Sequence, residues 1–120
     1  MRRTTAVAAL GLGILAGVPA APAAEIKPAV VFDIGGKFDK SFNEGVASGL
    51  ERFKAATGIA YAEFEPSNET QFEQAHRRFA QRGQDPIIGV GFDHAHPIEQ
   101  VAAAFPNTRF IIIDGVVKLP

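Results

Sequence analysis

Val30-Val31-Phe32-Asp33-Ile34-Gly35-Gly36-Lys37-Phe38-Asp39-Lys40-Ser41-Phe42-Asn43 is the stretch whose reading decides the fold. A near-continuous apolar run ends on an aspartate, a glycine pair turns the chain, and a helix opens at Ser41. Ser41 and Glu44 have the S-x-x-E spacing of a capping box, in which each side chain satisfies an orphan donor of the first turn. The run reads as a strand of the buried, parallel type. Polar residues at the carboxyl end of such a strand stand where open α/β sheets bind ligands.

The rest of the chain repeats this punctuation. Ala29–Asp33 is the first strand, and Ser41–Thr57 is a helix with Phe42, Val46, Leu50 and Phe53 at helical spacing. Gly58 stops it. Ile59–Phe64 reads as a strand, with Glu63 and Glu65 on an exposed face, and Pro66-Ser67-Asn68 turns. A second helix, capped by Ser67 or Asn68, runs to Arg82 with Phe72, Ala75 and Phe79 inward. Pro86 introduces the strand Ile87–Gly91, and His96-Pro97 opens a helix through Phe105. Arg109–Asp114 is the fourth strand. The sequence therefore predicts β-α-β-α-β-α-β: an α/β fold with an open parallel sheet and helices on both faces. Right-handed crossovers bring Asp33, Gly91-Phe92-Asp93 and Asp114 to one edge of the sheet.

Residues 1–23 are read as a secretory signal peptide. Arg2 and Arg3 give the positive start, Ala6 to Val18 is apolar, and Ala21-Pro22-Ala23 fits a cleavage site. The apolar run is shorter than the roughly 20 residues of a spanning helix. Removing this segment takes twelve basic residues to ten against thirteen acidic, a formal charge of −3. That balance gives no reason to expect nucleic acid as a partner. The 120 residues contain no cysteine, so they offer neither a disulfide nor a thiol for lipid attachment. The expectation is a periplasmic protein without a lipid anchor.

Three blocks carry a family resemblance: D-I-G-G-K-F-D-K-S-F-N at 33–43, I-I-G-V-G-F at 87–92 and F-P-N-T-R-F-I-I-I-D-G-V at 105–116. Together they resemble the basic membrane protein family, the PnrA-like substrate-binding proteins of ABC transporters. The resemblance implies a non-enzymatic receptor that captures a small ligand, a purine nucleoside, and delivers it to a permease for import. It implies two similar lobes, with residues 24–120 forming part of the first, as in a truncated product. It also implies ligand contacts: Asp33 accepting ribose hydroxyls, Phe42 stacking on the base, Asn43 reading base edges, and Asp114 as a second acid. Each has a plainer role to set beside it. Asp33 and Asp114 can be turn formers, Phe42 falls on the helix's apolar face, and Asn43 can be a solvated first-turn residue. No cofactor is implied.

Other readings rest on single features. V-V-F-D-I-G-G resembles the first phosphate loop of actin-like sugar kinases, a context that needs residues 41–57 to be a strand paired with 29–33. A haloacid-dehalogenase nucleophile needs a second aspartate where Gly35 stands. A ligand-sensing module outside transport would use the same fold. His94 and His96 are close enough in sequence to share a metal ion but lack a third ligand. They read as a helix-opening loop, and no metal site is assigned. His76 has no obvious partner.

Overall fold

The computed structural model describes residues 25–118, so the expected signal segment lies outside the described residues. Four strands form one sheet: β1 (Ala29–Val31), β2 (Ala62–Phe64), β3 (Ile87–Val90) and β4 (Phe110–Ile113). They alternate with three helices: α1 (Phe42–Thr57), α2 (Phe72–Gln81) and α3 (Ala95–Ala104). All strand pairs are parallel, in the order β2-β1-β3-β4. Val30 lies opposite Glu63 on one side and Ile88 on the other, and Ile88 lies opposite Ile111. The chain moves outward from β1 to β2, then crosses back over β1 to β3. The direction of winding thus reverses between β1 and β3, which is the crevice where open sheets of this kind take ligands.

Strand alternation sends successive residues to opposite faces. Ala29, Val31 and Ile87 pack beneath α2 and α3 with Phe72, Ala75, Phe79 and Val101. Val30, Phe32 and Val90 pack against α1 through Ala47 and Leu50. Helices therefore cover both faces. Gly89 lies in mid-strand because nothing larger fits: a Cβ there would stand 2.9 Å from His94 Cβ and from Ile98 Cδ1. That absence of a side chain lets α3 and the turn before it sit directly on β3.

The elements agree with the sequence reading in order and kind, and differ in detail. The first two strands are shorter than expected, three residues each. A short 3-10 turn, Glu69–Gln71, precedes α2, with the Asn68 side chain accepting from the Thr70 N–H at 3.1 Å. A second 3-10 turn, Phe92–His94, precedes α3. Residues 42–57 are helical, which removes the strand that the sugar-kinase reading needs.

Two expectations about α1 are corrected. Ser41 occupies the N-cap but makes no side-chain capping bond, so there is no capping box. The stripe that faces the sheet is Asn43, Ala47 and Leu50, whereas Phe42 is 41% exposed. The helix is rotated by about one residue from the expected face, because Asn43 rather than Phe42 is drawn inward by hydrogen bonds.

Candidate functional site

The four expected contact residues lie at the carboxyl edge of the sheet, but not all on its surface. Asp33 follows β1 and is half-buried. Its Oδ1 accepts from the Ile34 N–H at 2.8 Å, turning the chain out of the sheet. Its Oδ2 takes no hydrogen bond among the described residues and points at Gly91, where a Cβ would stand only 2.6 Å away. Gly91 has φ +101°, a backbone state that side chains disfavour, and its N–H donates to the Ile113 carbonyl at 2.9 Å. Asp114 comes next, exposed, with φ +59°. Asp33, Gly91 and the Ile113-Asp114 step are thus in one chain of contacts across β1, β3 and β4.

Asn43 is placed inside. It is fully buried, its Oδ1 accepts from the Asp33 N–H at 3.0 Å, and its Nδ2 donates to the carbonyls of Asp33 at 2.9 Å and Gly36 at 3.0 Å. An Asn amide has two donors and one carbonyl oxygen. Here both donors and the oxygen are engaged by the chain's own backbone, so the side chain acts as a rivet between α1 and the loop after β1. It is not the solvated first-turn residue set beside the ligand contact in the sequence reading.

Asp39 is what caps α1. Its carboxylate accepts from the N–H groups of Ser41 at 2.8 Å, Asn43 at 3.1 Å and Glu44 at 3.1 Å. Desolvation pushes this carboxyl upward, but the backbone donors of Ser41, Glu44 and Asn43 outweigh it and hold its pKa below the ordinary value. The loop is fastened at its other side by β2. Glu65 Oε2 accepts from the Lys37 N–H at 2.8 Å, and Glu63 takes the Lys37 ammonium at 2.7 and 2.8 Å. Glu63 and Glu65 are exposed, as the sequence predicts, and in addition fasten the loop at Lys37.

Beneath the edge lies a pair of histidines. His76 of α2 and His94 are both fully buried, with Nε2 of the first 2.9 Å from Nδ1 of the second. His94 also stacks on Phe72 at 3.8 Å between ring centroids. Burial pushes His76 down to about 3 and lowers His94 as well, so both rings are neutral near pH 7. His96 is on the surface beside Glu99, 3.9 Å away, so His94 faces His76 and not His96. Among the described residues no group of three or more potential ligands could hold a metal ion.

The edge is also apolar where it is exposed. Ile34, Phe38, Phe42, Phe92 and Val116 are all exposed, and all lie on loops or the first helical residue at this end of the strands. Among the described residues neither Asp33 nor Asp114 is paired with a cation. An unpaired carboxylate at an edge that also exposes apolar and aromatic groups suits a neutral molecule with hydroxyl donors and a flat apolar face. The face is open. Among the described residues, grooves away from this edge include one of 290 Å³ between β2 and α2, one of 600 Å³ along α3 and β4, and one of 820 Å³ at the opposite end of β1 and β2.

Sequence reasoning missed Lys37, Glu63, Glu65 and the His76–His94 contact as parts of this assembly, whereas Asp39, with Lys40 and Ser41, reads from the sequence as holding the loop and capping the helix. Asp39 had a signal: an aspartate two residues before a serine at a helix start can cap in its place.

Comparison with known proteins gives a concordant result. A family model described as ABC transporter substrate-binding protein PnrA-like matches residues 26–119. The chain is similar to an uncharacterised lipoprotein of Pyrococcus abyssi, 32% identical over 94 residues, which cover 78% of this chain and 23% of that one. It is similar to the ABC transporter nucleoside-binding protein BmpA of Lactococcus lactis, 28% identical over 134 residues, covering 98% of this chain and 38% of the relative. In structure it matches an ABC transporter solute-binding protein of Aeropyrum pernix with a TM-score of 0.73 at 30% identity, over 78% of this chain and 26% of that one. The chain thus spans about a quarter to two fifths of the length of these relatives. The lipoprotein name of the Pyrococcus relative lends no support to the unlipidated expectation, which rests on the missing cysteine alone.

Proposed function

The chain belongs to the PnrA-like family of ABC transporter substrate-binding proteins, and from that premise we propose that it serves to capture a purine nucleoside outside the cytoplasm for import through a permease. The observation that carries the ligand is Asp33, whose Oδ2 has no hydrogen-bond partner among the described residues and which stands at the carboxyl edge that also carries the exposed Phe38, Phe42 and Phe92. Paired ribose hydroxyls donate to the carboxylate, since bonds to an ionised acceptor are short and strong. Phe42, turned out of the core, offers its face to the base, and Asp114 supplies a second acceptor. Asn43 holds Asp33 in place and does not itself touch the ligand. The nucleoside-binding name of the Lactococcus relative supports the same class.

The role is binding and delivery without catalysis. Residues 1–23 act as an export signal cleaved after Ala23, and residues 24–120 are part of a first lobe whose partner lobe closes on the ligand. The exported form is periplasmic.

The test is an NMR titration of residues 24–120 joined to a second lobe, with adenosine, guanosine, inosine and ribose. Saturable shifts at Asp33, reduced about ten- to hundredfold in affinity by Asp33→Ala, are expected from the loss of charge-assisted bonds. Nucleosides that leave the spectrum unchanged, or an Asp33→Ala variant that binds as before, would overturn the assignment.

A further inference from the structure

Phenylalanine is the commonest aromatic residue here, ten in all, and the fold sorts them by position. Phe32, Phe72 and Phe79 are buried in the two cores, and Phe53, Phe64, Phe105 and Phe110 are half-buried. The exposed ones, Phe38, Phe42 and Phe92, are all at the carboxyl edge. Phe92 is 66% exposed on the turn between β3 and α3, at the centre of the sheet's edge and not at a margin.

Asp33 is bracketed by two contacts, and each is made by a residue that neighbours an exposed phenylalanine in the chain. On one side Asn43 grips its backbone, and the residue before Asn43 is Phe42. On the other side Gly91 backs its carboxylate, and the residue after Gly91 is Phe92. The loop after β4 closes on the same residue, since a Cβ at Gly115 would stand 3.2 Å from Phe92 Cα. The backbone of Phe92 is therefore held from two sides while its ring is left in solvent. Apolar rings kept at a rigid edge beside an unpaired acid are suited to a flat heteroaromatic face.

We propose that Phe92 is a specificity-determining residue, an aromatic wall against the base of the ligand that lets the site distinguish a nucleoside from a free sugar. The proposal rests on the nucleoside reading above and adds to it a residue contacting the base. Base–aromatic contact is sensitive to truncation of the ring, with changes of about tenfold in affinity expected for a single wall.

Aromatic-region NMR of the same two-lobe protein, phenylalanine-labelled and titrated with inosine and separately with ribose, tests it. The Phe92 ring signals are expected to shift with inosine at the same midpoint as the Asp33 amide, and to stay still with ribose. Phe92→Leu, an exposed substitution, is expected to weaken inosine binding about tenfold and leave the ribose response unchanged, with Phe92→Tyr restoring inosine binding. A Phe92 ring that does not move while the Asp33 amide titrates, or an unchanged midpoint in Phe92→Leu, overturns this inference and leaves the nucleoside reading standing. Silence of both Asp33 and Phe92 overturns the two together.

Discussion

The side-chain amide of Asn43 takes the backbone N–H of Asp33 at 3.0 Å and returns a bond to the same residue's carbonyl at 2.9 Å. One residue of α1 thus pairs with the end of β1 as a neighbouring strand would. Asp33 is fixed before any ligand arrives.

Removing that amide leaves the Asp33 N–H and carbonyl, and the Gly36 carbonyl, short of partners at a buried position. Asn43→Ala is therefore expected to destabilise the chain by about 2–4 kcal/mol, from unpaired buried polar groups. Urea denaturation followed by far-UV circular dichroism reads this directly. A midpoint equal to that of the parent chain would show that water replaces the amide without cost.

Asp39 and Ser41 separate two ways of starting α1. Three N–H groups depend on the Asp39 carboxylate and none on the Ser41 hydroxyl. Asp39→Ala is expected to lower the thermal midpoint clearly, and Ser41→Ala to leave it within error. The reverse order would restore the capping box.

Gly91→Ala places a methyl group 2.6 Å from Asp33 Oδ2 and forces φ +101° on a residue with a Cβ. Strain of this kind costs of order 1–3 kcal/mol. The carboxylate must also swing away, so the variant is expected to lose nucleoside affinity more than its thermal shift alone explains. Calorimetry below the transition separates the two effects, and intact affinity would mean that the position of Oδ2 is unimportant.

The histidine pair sets a direction for pH. Unfolded histidines titrate near 6.5, whereas burial holds His76 near 3 and lowers His94 too. Between those values the unfolded chain binds more protons than the folded one, so stability is present above about 6.5 and falls as pH drops toward 3. The slope approaches about 1.4 kcal/mol per pH unit for each ring that stays neutral. Denaturation at pH 7, 6, 5 and 4 should show this slope, and His76→Phe should flatten it. A stability profile flat to pH 4 in the parent chain would mean that the rings are already charged in the fold.

Much of this was legible in the sequence, and the limits have physical reasons. The order of elements was readable because apolar periodicity and glycine or proline punctuation are local. The expected strands ran longer than the observed ones because an apolar residue beyond the last paired position, such as Phe32, looks the same in a linear pattern. The face of α1 was misjudged because hydrophobicity favours Phe42 over Asn43, and only the backbone groups of Asp33 and Gly36, ten and seven residues away, reverse that choice. The Lys37 clasp to Glu63 and Glu65, and the meeting of His76 with His94, join residues 18 to 28 positions apart. Their pairing is a product of the crossover topology, which no window along the chain contains. Asp33 and Asp114 were found at one edge because parallel topology alone requires it.

The outer strand β4 has a consequence of a different sort. It carries Phe110-Ile111-Ile112-Ile113, its far edge has no neighbour among the described residues, and Ile111 is 46% exposed. A short, uncharged, β-branched edge is a template for pairing with other chains, and hence the place where concentrated solutions of these residues should begin to aggregate. Ile111→Lys should keep such solutions clear. The substitution lies in the body of the strand, away from the carboxyl-edge loops, so solubility can be improved there while Asp33 and its rim are left untouched.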